Sequence, residues 1–221
     1  MRIVIAGGHG QVARRLSRAL VANGDTPIAI VRNPDHVADV KSDGAGALLL
    51  DLEQVDRSVL PGALSGADAV VFAAGAGPGS GAARKDTVDR AAAEALADAA
   101  AQAGVRRYIL LSSMGAGQEP PEGTSDVFAA YLRAKTASER YLSGHELDWT
   151  ILRPGHLTDA PGTGRVRLDV EVPPGSVSRD DVAAVLLALL HEPRASGLTL
   201  ELTSGDVPIE AAVAAATELE D

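Results

Sequence analysis

Hydrophobic residues in this chain gather in short unbroken runs, separated by longer stretches where they recur every three or four positions. The runs at 2–6, 27–31, 46–50, 68–73, 105–112 and 147–153 are rich in Ile, Val and Leu and have strand length. A run without polar alternation reads as a strand covered on both faces. Between them the spacing turns helical, near 10–23, 34–42, 56–65, 85–103 and 126–144. This alternation predicts an α/β fold, a parallel sheet with helices on both faces. Right-handed crossovers then make the sheet doubly wound, a Rossmann fold. After Pro154 the pattern loosens into a strand near 165–171, a helix at 179–191, a strand at 198–202 and a helix from about 208. The expected organisation is one domain over 1–221, with 155–221 as a small C-terminal substrate-covering region too short for an ordinary independent domain. Three Gly/Pro-rich stretches, 75–81, 115–125 and 155–164, each follow the carboxyl end of a predicted strand. Open α/β sheets bind ligands on that side, so these stretches are either substrate lids or plain connectors.

The first strand-to-helix junction narrows the picture. Gly7-x-x-Gly10-x-x-Ala13 directly follows the strand at 2–6 and opens the first helix. Glycines in that place allow a tight turn and a close approach of backbone to phosphate, and the small third residue lets helix pack on strand. The helix N-terminus offers N–H groups and partial positive charge to an anion. Gly7, His9, Gly10, Gln11 and Val12 are therefore the expected pyrophosphate contacts of a dinucleotide. Where NAD-binding proteins usually carry a carboxylate at the end of the second strand, this chain has Arg32-Asn33. A guanidinium suits the 2′-phosphate of NADP, so NADP is expected ahead of NAD. Asn33 and Pro34 also read as the cap and first turn of the next helix. Asp51-Leu52 end the third strand, with Asp51 either an adenine contact or a turn former. Ala73-Ala74-Gly75 after the fourth strand are small enough for a cofactor to pass close to backbone.

A second constellation carries chemistry. Tyr131 and Lys135 lie four apart on one predicted helix and share a face. A protonated lysine beside a phenol favours its ionised form, and the phenol then serves as general acid or base toward a carbonyl. Leu111-Ser112-Ser113 end the fifth strand, where successive side chains point to opposite faces. One serine faces the nicotinamide and the other the protein, with Ser113 preferred for the substrate carbonyl.

Composition sets bounds. Hydrophobic residues make up 46% and charged residues 23% of the 221, ordinary for a globular domain. A net charge of −10 argues against nucleic acid or an anionic membrane as partner. Without cysteine there are no disulfides or thiolate metal sites. The five histidines lack metal-ligand spacing, and no metal is expected. No apolar run reaches membrane-spanning length and no signal peptide precedes the first strand, so the expected location is the cytoplasm.

Gly7-x-x-Gly10-x-x-Ala13, Arg32, Ser112-Ser113, Tyr131-x-x-x-Lys135 and Leu152-Arg153-Pro154-Gly155 together resemble the short-chain dehydrogenase/reductase superfamily. The glycine spacing is similar to its extended, epimerase and dehydratase branch. The short C-terminal part is similar to the atypical NAD(P)-binding group. The resemblance implies Tyr131 as acid/base, Lys135 on the nicotinamide ribose, Ser113 on the carbonyl, and Pro154-Gly155-His156-Leu157 beside the nicotinamide carboxamide. Where the superfamily has an asparagine after the fourth strand, this chain has Asp89, a departure from the usual lysine–water proton relay. Asp89 is either part of the site or a plain partner of Lys85 one turn back. The implied activity is NADP-dependent reduction or oxidation of a small carbonyl or alcohol. The alternatives are an NADP-binding sensor and a nucleotide-sugar epimerase or dehydratase. The expected partner is a small molecule, the chain acting as monomer or as homodimer through helices 85–103 and 126–144.

Overall fold

The computed structural model describes residues 1–77 and 79–218. The first half runs β1 (Arg2–Ala6), α1 (Gln11–Ala22), β2 (Thr26–Val31), a 3-10 turn (Pro34–His36) into α2 (Val37–Ser42), and β3 (Gly46–Leu49). A second 3-10 turn (Arg57–Val59), α3 (Leu60–Ala63) and β4 (Ala69–Phe72) follow. One helical rod then passes through α4 (Ala82–Arg84), a π-helical segment (Lys85–Ala92) and α5 (Ala93–Ala103). After it come β5 (Arg107–Leu111), α6 (Asp126–Ser143), β6 (Asp148–Pro154), β7 (His156–Thr158), β8 (Arg165–Asp169) and β9 (Ser176–Ser178). The chain finishes with α7 (Arg179–Leu190), β10 (Leu198–Ser204), β11 (Val207–Pro208) and α8 (Ile209–Ala216).

The sheet order is β11-β8-β10-β6-β5-β4-β1-β2-β3. From β3 through to β10 the strands are parallel, and β8 and β11 add an antiparallel edge. This is the predicted doubly wound Rossmann sheet. Its side chains alternate between two cores. Ile3 and Ile5 point to the layer holding α1, α7 and α8, while Val4 and Ala6 point to that of α3 and α5. Both faces of β1 are buried, which is why its sequence shows no alternation. The chain reverses direction across the sheet between β1 and β4, so the crevice above their carboxyl ends is the natural ligand position.

The region 155–221 is woven into this sheet. β10 continues the parallel run and α7 packs on α1, while β7 and β9 form a separate two-stranded pair. The stretch 155–164 is not purely loop, because β7 pairs in parallel with β9 through His156↔Ser176 and Leu157↔Val177. Asp180 and Asp181 occupy the first turn of α7, as the helix dipole favours. Asp181 also accepts bonds from the Thr163 and Gly164 amides and the Ser178 hydroxyl, pinning the 162–164 loop. No helix among the described residues is long and apolar enough to cross a membrane.

Candidate functional site

The turn after β1 is built by three glycines with different duties. Gly7 has φ +74°, and a Cβ there would lie 2.5 Å from Ala74 Cα. Its carbonyl accepts from the Gly10 amide at 2.7 Å, closing the turn. A Cβ on Gly8 would sit 2.5 Å from Ala29 Cβ, so Gly8 is what lets the turn lie against β2. Gly10 is the N-cap of α1 and has no side chain to close the first helical turn, leaving those amides facing outward. Above the turn opens a cavity of about 440 Å³. Its walls include Gly7, His9, Gly10, Arg32, Asp51, Leu52, Ala73, Ala74 and Gly75, all expected from sequence.

The far end of this cavity is strongly ionic. Glu53 is held by three donors: Arg32 Nη1 at 3.1 Å, Arg84 Nη2 at 2.6 Å and Thr87 Oγ1 at 2.7 Å. Arg84 above all, then Thr87 and Arg32, keeps the Glu53 carboxyl below the usual carboxylate range against the opposing effect of burial. Asp51 accepts from the Glu53 amide at 3.0 Å and so forms the turn that presents Glu53. Asn33 accepts from the Asp35 amide and caps the 3-10 turn, as its sequence context predicts. The His36 ring stacks on His9 with centroids 3.5 Å apart, and His9 pairs with Asp39 at 2.8 Å.

Off the walls of this cavity, α6 starts at the Ser125 cap and carries Tyr131 and Lys135. Lys135 is buried; its ammonium donates to the Leu111 carbonyl at 3.0 Å and lies 3.5 Å from Asp89 Oδ1. Asp89 is fully buried on the π-helical segment, and its Oδ2 accepts from the Ala76 amide at 3.1 Å. Its Oδ1 has no hydrogen-bond donor among the described residues. Lys85 does not pair with Asp89. It donates to the Gly77 carbonyl at 3.1 Å and places its ammonium 5.3 Å from the centre of the Tyr131 ring. Lys135 lies 5.9 Å from the same ring, so two buried lysines flank one tyrosine. Phe128 stacks on Tyr131 at 5.8 Å and remains half exposed.

The two serines after β5 divide as strand geometry requires. Ser112 is buried and donates to Glu139, which also receives Arg153 through Nε at 3.0 Å and Nη2 at 2.6 Å. Ser113 donates weakly to the Met114 carbonyl at 3.2 Å and is only partly covered. Pro154 is buried at the end of β6. Gly155 lies so close to the Gly175 carbonyl that no side chain fits between them. His156 is exposed.

The profile of a family described as NAD(P)H-binding matches residues 7–193. The chain is 35% identical to a Bacillus subtilis protein named "uncharacterized sugar epimerase YhfK", over 96% of this chain and 99% of that one. The chain belongs to the NAD(P)H-binding family. Its fold matches the oxidoreductase ylbE of Lactococcus lactis with a TM-score of 0.86 and 28% identity, covering 100% of this chain and 99% of that one. The anaerobillin reductase ChuY of Escherichia coli O157:H7 matches with a TM-score of 0.80 and 26% identity, over 94% and 98% of the two chains. This is an NAD(P)-binding Rossmann protein of the short-chain dehydrogenase/reductase-like type, with oxidoreductase- and epimerase-like relatives.

The residues present fit such a cofactor in this NAD(P)H-binding protein. The Gly7 cradle admits no side chain, the first turn of α1 is open, and the cavity runs from there to the paired arginines. Several expected contacts lie off the cavity walls. The Val12 side chain is buried in the core, and Leu157 packs against that core. The Leu111 side chain is also in the core, while its carbonyl holds Lys135. Gln11 takes a bond from Arg15, and the Asn33 oxygen is committed to its cap. Ser112 is held by Glu139. Four residues escaped the sequence reading, Gly8, Glu53, Arg84 and Thr87, and Lys85 entered it only as a partner for Asp89. Glu53 had a usable signal in its place just past the carboxyl end of a strand. Arg84 and Thr87 had none, because their role depends on how the 75–81 loop returns the chain to the site.

Proposed function

We propose that this protein is an NADP(H)-dependent reductase or dehydrogenase acting on a small carbonyl or alcohol. The observation that carries the reading is Tyr131 with two buried lysine ammonium groups at 5.3 and 5.9 Å from the centre of its ring. When bound, the nicotinamide supplies or receives hydride, and the protein contributes orientation and electrostatics. Tyr131 Oη donates the proton to the substrate oxygen in reduction and removes it in oxidation. Lys85 and Lys135 stabilise negative charge as it develops on that oxygen. Asp89 fixes the Lys135 ammonium from one side while the Leu111 carbonyl fixes it from another. The Ser113 hydroxyl, free of Glu139, orients the substrate carbonyl. The family resemblance assigns Pro154, Gly155 and His156 to the carboxamide side. Arg32 reads the 2′-phosphate.

Steady-state oxidation of NADPH across a carbonyl panel tests this reading. Tyr131→Phe is expected to lower kcat by about 10²–10⁴-fold, the range for a general acid or base, with NADPH affinity unchanged. Unchanged turnover in that variant refutes the mechanism. Turnover absent from the wild type with tight NADPH binding would favour the sensor alternative. Nucleotide-sugar epimerisation is the second reading, supported by the name of the Bacillus subtilis relative. Against it, β8, β10 and β11 join the central sheet and build no separate lobe for a sugar nucleotide.

A further inference from the structure

The ionic end of the cavity holds more than Arg32. Glu53, Arg84 and Thr87 come from two different parts of the chain and meet there, with Arg32 and Arg84 both on the cavity wall. One carboxylate receiving two guanidinium groups and a hydroxyl has the donor set that a phosphate monoester takes. Glu53 is well covered and Arg84 about two-fifths exposed, so the carboxylate has a path to solvent past the arginine.

The geometry points to Glu53 as an internal surrogate for the 2′-phosphate, holding Arg32, Arg84 and Thr87 converged and competing with the cofactor for them. This deepens the NADP reading above and rests on it. Arg84 and Thr87 then complete a seat of which sequence had identified only Arg32. Cofactor selectivity is set by a contest. A dianionic phosphate displaces the single carboxylate charge from the two arginines, whereas a ribose hydroxyl has too little charge to do so. Glu53 therefore lowers the affinity for NADP(H) and narrows its margin over NAD(H), whose ribose hydroxyl leaves the carboxylate in place.

Direct binding tests this without turnover. NADPH, NADH and the fragments 2′,5′-ADP and ADP would be titrated into wild type, Glu53→Gln, Arg84→Met and Arg32→Ala, with thermal melts to confirm folding. Glu53→Gln is expected to tighten NADPH and 2′,5′-ADP several-fold, with NADH and ADP changed less than about twofold. Arg84→Met is expected to weaken NADPH and 2′,5′-ADP by about tenfold or more, the loss of one charge-assisted bond, and to spare ADP. If Glu53→Gln weakens NADPH, changes nothing, or tightens NADH equally, the surrogate role is overturned. If Arg84→Met weakens ADP as much as 2′,5′-ADP, the seat is overturned. Equal wild-type affinity for NADPH and NADH overturns the NADP reading itself, and this inference with it. Preference for NADPH lost in Arg32→Ala but untouched in Glu53→Gln leaves the NADP reading standing and removes only Glu53.

Discussion

Replacing Arg153 with methionine probes the enclosed cluster of Arg153, Glu139 and Ser112. Arg153 reaches Glu139 through two hydrogen bonds, and Ser112 donates to the same carboxylate. Glu139 is 6% and Arg153 18% exposed, so neither charge is well solvated. Arg153→Met keeps the alkyl stem but leaves Glu139 buried with one neutral donor. Breaking one side of a buried pair costs about 3–5 kcal/mol, and the partial exposure of Arg153 places this case near 3. For a chain of this size that corresponds to a fall in Tm of about 6–12 °C. Glu139→Gln, which retains an acceptor for Ser112 and leaves a guanidinium that can turn to water, is expected to cost about half as much. The double variant removes both charges, so its loss should fall short of the sum by about 1–3 kcal/mol. Urea denaturation of all four proteins measures this coupling. Additive losses within about 0.5 kcal/mol would refute the claim that the pair acts as a unit. There is a functional corollary. Arg153 also lies beneath Gly117, where a Cβ would stand 2.5 Å from Nη2, so its loss should loosen the 115–117 turn beside Ser113.

Two further outcomes follow from local geometry. Gly8→Ala puts a methyl group 2.5 Å from Ala29 Cβ and must push the turn off β2, at a cost of about 1–3 kcal/mol. Thermal melts and NADPH titration should both record a loss, and Ala29→Gly on the same background should recover part of it; no recovery would contradict the assigned clash. Asp25 supplies a pH dependence. Burial works to raise its pKa, but bonds from the Met1 ammonium, Asn23 and His191 outweigh this and lower it from 3.8 to about 2. Because the folded value lies below the unfolded one, the stabilisation of about 2 kcal/mol is complete above pH 4 and drains away as pH falls toward 2. Asp25→Asn should lose stability at pH 7 and flatten that acid limb; parallel curves for variant and wild type would exclude the cluster as its source.

What was legible in the sequence is what is written in short range. Gly7 and Gly10 build a turn with their own backbone, Asn33 caps a helix two residues on, and Tyr131 and Lys135 share a helix face by spacing alone. The strand runs gave the sheet because burial on both faces suppresses alternation. The partner of Asp89 was not legible. Lys85 at four residues is the local choice, but Lys135 is brought to it by the packing of α6 on the π-helical segment. The β7/β9 pair has three residues per strand, too few to establish a period. The constraint on Gly8 comes from a residue on another strand, Ala29. The buried alanines of α5 pack within the chain, in the core that also holds β4 and β5.

The helical rod from Ala82 to Ala103 touches both the Glu53 cluster and the Tyr131–Lys135 pair. Arg84 and Thr87 stand three residues apart and face Glu53; Lys85 and Asp89 stand four apart and face Tyr131 and Lys135. A single helical rod therefore carries one ionic set to Glu53 and another to Tyr131 and Lys135. The segment that does this is π-helical, a geometry that is uncommon and concentrates at functional sites. Its price is a buried aspartate with an unsatisfied oxygen next to a buried lysine. A purely structural helix gains little from such an arrangement, since apolar residues of similar size are often as stable. Under the proposed mechanism that cost is offset by an ammonium held in place beside the Tyr131 phenol. The contacts of Arg84 and Thr87 with Glu53 and those of Lys85 and Asp89 with Tyr131 and Lys135 thus rest on one piece of chain.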